Sequence, residues 1–135
     1  SIDEHPKIDV LVVPGGVVSG ELIKPAVMRW LHRCAQTAEL VASVCTGAFM
    51  LAKAGVVTSG RVTTHWEDQA DLAAMFPSLE VVDGPRWIEQ GRLLTSAGIS
   101  AGIDLSLHLV GRLGSAQLAT ATARQMDYPW SDRNG

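Results

Sequence analysis

The sequence predicts an α/β sandwich, in which helices lie on both faces of a mainly parallel sheet. Short apolar segments typical of buried strands alternate along the chain with helical patterns. The first of them, Asp9–Val13, is continuously apolar after its aspartate, as expected of a strand covered on both faces. A chain of 135 residues, 47% of them hydrophobic, is enough for one domain, residues 1–135, with a substantial core.

The predicted elements follow this alternation in order. Apolar residues at helical spacing predict a helix over Glu21–Thr37, and a valine-rich run predicts a strand over Leu40–Cys45. A third element, the helix after Cys45, should stop at Gly55. The remaining strands are predicted at 61–65, 79–83, 86–89 and 92–96, and the remaining helices at 66–75, 100–113 and 116–128.

About four strands are available for the central sheet, so we expect the Val10–Val13 strand to have an uncovered edge. The domain would then be truncated at its N-terminus, or another chain would cover that edge.

Cys45 stands at the predicted turn from strand to helix. Small residues flank it at the second position on each side, Ser43 before and Gly47 after. This pattern is typical of a nucleophile elbow with cysteine in place of serine, because the backbones crowd at so sharp a bend. Unpaired N–H groups and the helix dipole at a helix N-terminus favour the thiolate. Cys45 is therefore the candidate catalytic nucleophile.

Two further elements should meet Cys45 at the carboxyl ends of the strands, where active sites of such sheets lie. The amide of Thr46, with an amide of the Gly15-Gly16 turn, can form an oxyanion hole. His65 can serve as a base or an orienting group for the thiol. It can equally well close its strand with the imidazole bonded to backbone, and that alternative stays open.

Other candidate residues have plainer explanations. Cys34 lies on an apolar helix face and is expected in the core. Gly98 and Gly102 fit neither nucleotide-binding glycine pattern, so they are expected to allow close packing of a helix start. Trp66 is placed near a substrate pocket because it follows His65. The other histidines lack ligand partners at metal-binding spacing, so no metal site and no cofactor are predicted: His5, His32 and His108.

Composition and charge limit the classes of partner that the protein is expected to bind. The net charge is −3 and the eleven Lys and Arg residues are scattered, which argues against nucleic-acid binding. No apolar stretch approaches the roughly 20 residues that span a bilayer, so no membrane partner is predicted. With two cysteines and no disulfide framework, a cytoplasmic location is the simpler expectation.

Four motifs, in this order and spacing, resemble the ThiJ/PfpI superfamily, whose fold is that of class I glutamine amidotransferases, a flavodoxin-like sandwich. They are the segments 12–16 (VVPGG), 43–48 (SVCTGA), 63–66 (TTHW) and 95–104 (TSAGISAGID). The resemblance covers essentially the whole chain and is highly specific for the superfamily but much less so for the reaction. Within the superfamily, the chain looks most like isocyanide hydratases and the amidotransferase-like domains of AraC-type transcription regulators.

The resemblance implies roles for individual positions. Cys45 corresponds to the elbow cysteine, and the amides of Gly16 and Thr46 correspond to the oxyanion-hole donors. Two positions are assigned on other grounds to the pocket for a small-molecule substrate: Gly15, because glycine allows close approach of the backbone to the substrate, and Trp66, because it follows His65. Protease-like members have His after the cysteine, whereas isocyanide hydratases are similar to this chain in having Thr.

In the hydratase reaction that the resemblance implies, Cys45 attacks the isocyanide carbon and a thioimidate is hydrolysed to an N-substituted formamide. The family's catalytic carboxylate comes from an earlier strand–helix turn, which this chain is expected to lack.

Two other functions stay open: a non-catalytic domain that senses a ligand or an oxidant, and a glyoxalase or deglycase acting on α-oxoaldehydes. The resemblance also implies a homodimer. Because no helix-turn-helix domain follows in this chain, DNA binding by it is not expected.

Overall fold

The computed structural model describes residues 7–131, in which strands and helices alternate. The strands are β1 (Val10–Val13), β2 (Leu40–Ser43), β3 (Gly60–Val62), β4 (Leu79–Val81), β5 (Trp87–Gln90) and β6 (Leu93–Ser96). The helices are α1 (Ser19–Leu22), α2 (Pro25–Thr37), α3 (Gly47–Lys53), α4 (Gln69–Met75), α5 (Ser100–Leu113) and α6 (Ala116–Gln125). A 3₁₀ turn, Trp66–Asp68, leads into α4.

Four of the strands form the central sheet in the order β1-β2-β6-β5. The pairs β1–β2 and β2–β6 are parallel, and β5 runs antiparallel to β6. Strands β3 and β4 pair in parallel as a separate small sheet. The predicted fold class, a mainly parallel α/β sandwich, is confirmed.

Alternate residues of β2 point to two cores on opposite faces of the sheet. Val41 packs in the cluster formed with α2 and α3, together with residues such as Leu31 and Leu51. Leu40 and Ala42 pack in the other cluster, with side chains of β6 and α5. All four residues of β2 are buried, which agrees with its apolar sequence up to the last residue, Ser43.

The outer edge of β1 pairs with no strand within residues 7–131, as the sequence predicts. Leu11 and Val13 are buried against the helices, whereas Val12 on the other face is 47% exposed. The second face is covered only in part, where Val10 packs against the other core, so the expectation of a strand covered on both faces is wrong.

The predicted helix over 21–37 is wrong as a single element. Pro25 divides it into α1 and α2, and Lys24 between them is extended, with φ −96° and ψ 101°. Proline has no N–H to donate and disfavours helical geometry in the residue before it, so a helix can begin at Pro25 but cannot run through it.

The predicted bounds also differ at the ends of several elements. Strand β2 ends at Ser43, two residues before Cys45, and β3 ends at Val62 rather than at residue 65. Helix α6 stops at Gln125, three residues earlier than predicted. The functional residues that follow β2 and β3 therefore belong to turns and not to strand ends.

Candidate functional site

Cys45 lies in the tight turn between β2 and α3, partly exposed to solvent. Its φ is +55°, in the left-handed region that side-chain-bearing residues rarely adopt. Such strain persists where the surrounding structure enforces it, and it is typical of functional sites. The Cys45 N–H donates to the carbonyl of Ala97 at 3.2 Å, which ties the turn to the loop between β6 and α5.

Glycines allow the neighbouring backbone to approach Cys45. A Cβ at Gly15 would lie 2.8 Å from Cys45 Cβ and 2.9 Å from the Thr46 nitrogen, so this glycine is in direct contact with the elbow. A Cβ at Gly47 would lie 2.2 Å from the carbonyl oxygen of Val13. The structure thus brings the Gly15-Gly16 turn and Cys45 together, as the sequence predicts.

The two predicted oxyanion-hole amides differ in whether their N–H already donates a hydrogen bond. Among the hydrogen bonds of residues 7–131, none is donated by the Thr46 N–H. The Gly16 N–H donates to the Thr46 hydroxyl at 2.9 Å, and that hydroxyl donates back to the Gly16 carbonyl at 2.9 Å. One donor is therefore open, and the other is occupied by a side chain whose part the sequence did not reveal.

His65 lies beside the loop that receives the Cys45 N–H. A Cβ at Gly98 would lie 2.4 Å from His65 Cδ2, so the ring packs directly on this glycine. His65 Nδ1 accepts the Glu67 N–H at 3.2 Å, and the Asp68 carboxylate is 3.6 Å from the same nitrogen. Among residues 7–131 no hydrogen bond joins the ring to the Cys45 sulfur.

A second hydrogen bond on the elbow was missed by the sequence reasoning. The hydroxyl of Thr64 donates to the Cys45 carbonyl at 2.7 Å, and Thr64 is completely buried. The adjacent Thr63 bonds to Thr95 Oγ1 through its N–H and to the Val82 carbonyl through its hydroxyl. The only signal in the sequence was a pair of threonines directly before His65.

An ion pair braces the start of α5, next to the loop that contacts both Cys45 and His65. Arg86 donates to the buried Asp104 carboxylate and to Ser100 Oγ, and Tyr128 donates to the Ser100 carbonyl at 3.3 Å. The hydrogen bond to Asp104 raises the pKa of Arg86. Burial is the main cause that raises the pKa of Tyr128, and its interaction with Asp104 raises that pKa further. Asp104 therefore serves this ion pair.

A cleft of about 490 Å³ adjoins the elbow. Gly16 and Thr46 lie in its wall, and Asp68 and Asp71 also line it. Its remaining lining is mostly apolar and comes from α1, α3, α4 and the residues before α1: Val17, Val18, Ser19, Leu22, Phe49, Ala74 and Met75. The cleft can accept a small apolar molecule against Gly16 and Thr46, but Gly15, Cys45 and His65 are not among its lining residues.

The other residues singled out from the sequence fall in different places. Trp66 is 71% exposed and stacks on His65, with ring centroids 5.8 Å apart, but it does not line the cleft. Cys34 is only 5% exposed in the core beneath α2, as predicted. A Cβ at Gly102 would lie 2.5 Å from Val44, which agrees with a packing role.

Two kinds of feature are absent from residues 7–131. No group of three or more His, Cys, Asp or Glu side chains is placed to hold a metal ion. No helix has both the length and the apolar character needed to cross a bilayer.

Comparisons with known proteins agree with these observations. The DJ-1/PfpI family profile matches residues 1–112. The chain is 35% identical over 129 residues to an isonitrile hydratase of Pseudomonas putida, which covers 95% of this chain and 55% of that protein. It is 33% identical over 131 residues to the HTH-type transcriptional regulator CdhR of Pseudomonas aeruginosa, covering 93% of this chain and 37% of the regulator.

Among solved structures, a ThiJ/PfpI family protein from Pseudomonas syringae superimposes with a TM-score of 0.84 at 26% identity, covering 98% of this chain and 54% of that one. The chain therefore spans about half the length of the hydratase and a smaller share of the regulator.

Proposed function

Since the chain belongs to the DJ-1/PfpI family, we propose that it is a cysteine-dependent hydratase that converts small isocyanides to N-substituted formamides. The observation that carries the proposal is the Cys45 elbow, with φ +55° and the open Thr46 amide beside it. The 35% identity to an isonitrile hydratase supports the choice of substrate. The adjoining cleft of about 490 Å³ is large enough for a small alkyl isocyanide.

In the first half of the proposed reaction, the Cys45 thiolate sulfur bonds to the terminal isocyanide carbon. That carbon takes a proton from His65 in its protonated form, and a thioimidate results. While the ring is protonated, its Nδ1–H faces the Asp68 carboxylate, 3.6 Å away, and no longer accepts the Glu67 N–H. No oxidant or reductant is involved, because the carbon only gains a nucleophile and a proton.

In the second half, neutral His65 takes a proton from water while the water oxygen bonds to the thioimidate carbon. The ring passes this proton to the substrate nitrogen and then takes the hydroxyl proton. The negative charge that develops on oxygen faces the Thr46 N–H. When the carbon–sulfur bond breaks, the formamide leaves and the Cys45 thiolate and protonated His65 are restored.

The test is turnover of cyclohexyl isocyanide, with N-cyclohexylformamide measured by NMR. We expect turnover by the protein and by Cys34→Ala, and none by Cys45→Ala. Absence of turnover by the unaltered protein, or equal turnover by Cys45→Ala, would contradict the proposal.

A second candidate is a non-catalytic domain that senses a small ligand or an oxidant, and the 33% identity to a transcriptional regulator favours it. A thiolate is also the oxidisable form of cysteine, so an elbow cysteine suits this role. Mass spectrometry after mild peroxide treatment distinguishes the two. A stable sulfinate at Cys45 in a protein without turnover supports sensing, and an inert thiol contradicts both candidates.

We also propose that the protein is a homodimer, as its resemblance to the family implies. Light scattering after size-exclusion chromatography should give twice the mass of the chain. A monomer over the concentration range used for the turnover assay would contradict this.

A further inference from the structure

The carbonyl of Cys45 and the N–H of Thr46 belong to one peptide group. The structure has no cis peptide bond among its described residues, so these two groups point in opposite directions in one plane. Whatever holds the Cys45 carbonyl therefore also fixes the direction of the Thr46 N–H. This N–H is the open donor of the proposed oxyanion hole.

The Thr64 hydroxyl is what holds that carbonyl, at 2.7 Å. Among residues 7–131, the other donor to the same oxygen is the Ala48 N–H at 3.5 Å, which is a long contact. Without the hydroxyl, the peptide group would lose its one short bond. It would then be less well held at a residue whose φ of +55° already carries strain.

Thr64 is itself placed firmly. It is completely buried, and the backbone N–H of the preceding Thr63 anchors the segment by donating to Thr95 Oγ1 at 3.0 Å. Hydrogen bonds in a chain polarise one another, so donation to the carbonyl makes the N–H of the same peptide group a stronger donor. The contact can thus both orient and strengthen the Thr46 amide.

We propose that Thr64 is a positioning residue of the oxyanion hole, whose hydroxyl orients and polarises the Cys45–Thr46 peptide group. This inference rests on the proposed function insofar as Thr46 is taken as the oxyanion donor. Thr64 does not touch the substrate and acts only through the elbow.

The test compares two reactions of Cys45. With p-nitrophenyl acetate, the thiolate sulfur bonds to the carbonyl carbon, the ester carbon–oxygen bond breaks, and p-nitrophenolate leaves through a tetrahedral oxyanion. With iodoacetamide, the sulfur displaces iodide and no oxyanion forms. The ratio of the two rates therefore reports the oxyanion hole, independently of how reactive the thiol is. Site-specific mass spectrometry assigns both adducts to Cys45.

Thr64→Val keeps the shape and removes the donor, and Thr64→Ser keeps the donor. Thr63→Val is a matched control, because Thr63 is equally buried and its hydroxyl also donates to a backbone carbonyl, at 2.9 Å. We expect the acylation-to-alkylation ratio to fall roughly tenfold in Thr64→Val, since complete removal of an oxyanion donor costs 10²–10³. It should stay within about twofold in Thr64→Ser and Thr63→Val.

An unchanged ratio in Thr64→Val would overturn the inference. So would an equal fall in Thr63→Val, a failure of Thr64→Ser to keep the ratio, or an unaltered protein whose ratio matches that of a free thiol. The isocyanide assay is separate: a protein that does not turn over isocyanides but shows the fall only in Thr64→Val loses the proposed function and keeps this inference. If Thr64→Val does not fold, Thr64→Ser against Thr64→Ala gives the same comparison.

Discussion

The contact between Gly98 and His65 allows a direct test of the proton transfer assigned to His65. In Gly98→Ala, the added Cβ would lie 2.4 Å from His65 Cδ2 and 3.1 Å from Nε2. Carbon atoms in contact normally lie about 3.5–4.0 Å apart, so the ring must move by about 1 Å. That movement also breaks the 3.2 Å bond from the Glu67 N–H to Nδ1.

The expected loss of turnover is large and the expected loss of stability is small. A displacement of about 1 Å of a catalytic group costs about 100-fold in rate. Loss of the capping bond should cost about 1 kcal/mol. For a domain of this size, that lowers the melting temperature by about 4 °C. Initial rates with cyclohexyl isocyanide and thermal unfolding by circular dichroism measure the two effects.

A double-mutant cycle separates the ring's displacement from any other effect of the alanine. In a His65→Gln background, Gly98→Ala should change turnover by less than about twofold, because the proton carrier is already gone. If the alanine lowers the rate equally in both backgrounds, or leaves it unchanged in the single variant, the role given to His65 is wrong.

Two other predictions concern the thiols and the elbow. In the native protein, iodoacetamide should label Cys45 within minutes and leave Cys34, which is 5% exposed, unlabelled until the protein unfolds; peptide mass spectrometry would show early labelling of Cys34 if the core assignment is wrong. Gly47→Ala should destabilise the protein by about 3 kcal/mol, since its Cβ would meet the Val13 carbonyl at 2.2 Å. Gly20→Ala, where nothing lies within 4 Å of the added carbon, is the matched control, and equal denaturant midpoints for both variants would contradict the steric argument.

Much of the fold could be predicted because its signals are local. The apolar run of β2 and the 3.6-residue pattern of α5 are visible in the sequence, and α5 begins and ends where its pattern does. The break at Pro25 was also visible, because a proline and the extended residue before it interrupt helices. The prediction nevertheless ran one helix through Pro25, because the apolar residues keep helical spacing on both sides of the proline. The separation of β3 and β4 into their own sheet depends on long-range pairing, for which no local pattern exists.

The candidate site was predictable in its residues and not in its hydrogen bonds. Small residues around Cys45 indicate a sharp bend whatever the rest of the chain does. The Thr46 hydroxyl on Gly16 depends on a rotamer and on a contact 30 residues away in sequence. The bond from Thr64 to Cys45 spans 19 residues and joins two loops whose distance only the folded chain defines. Such contacts leave no periodic trace in the sequence.

The reciprocal bonds between Thr46 and Gly16 place an internal competitor at the Gly16 amide, one of the two proposed oxyanion-hole donors. A neutral ligand oxygen would exchange one ordinary hydrogen bond for another at the Gly16 amide and gain almost nothing. A full negative charge on the ligand oxygen strengthens its hydrogen bond by about 1 kcal/mol, which corresponds to roughly a fivefold higher occupancy of the Gly16 amide. The Gly16 amide should therefore discriminate between the two: it ignores uncharged acceptors and becomes free when charge builds up during reaction, which is the selectivity that favours a transition state over a bound substrate.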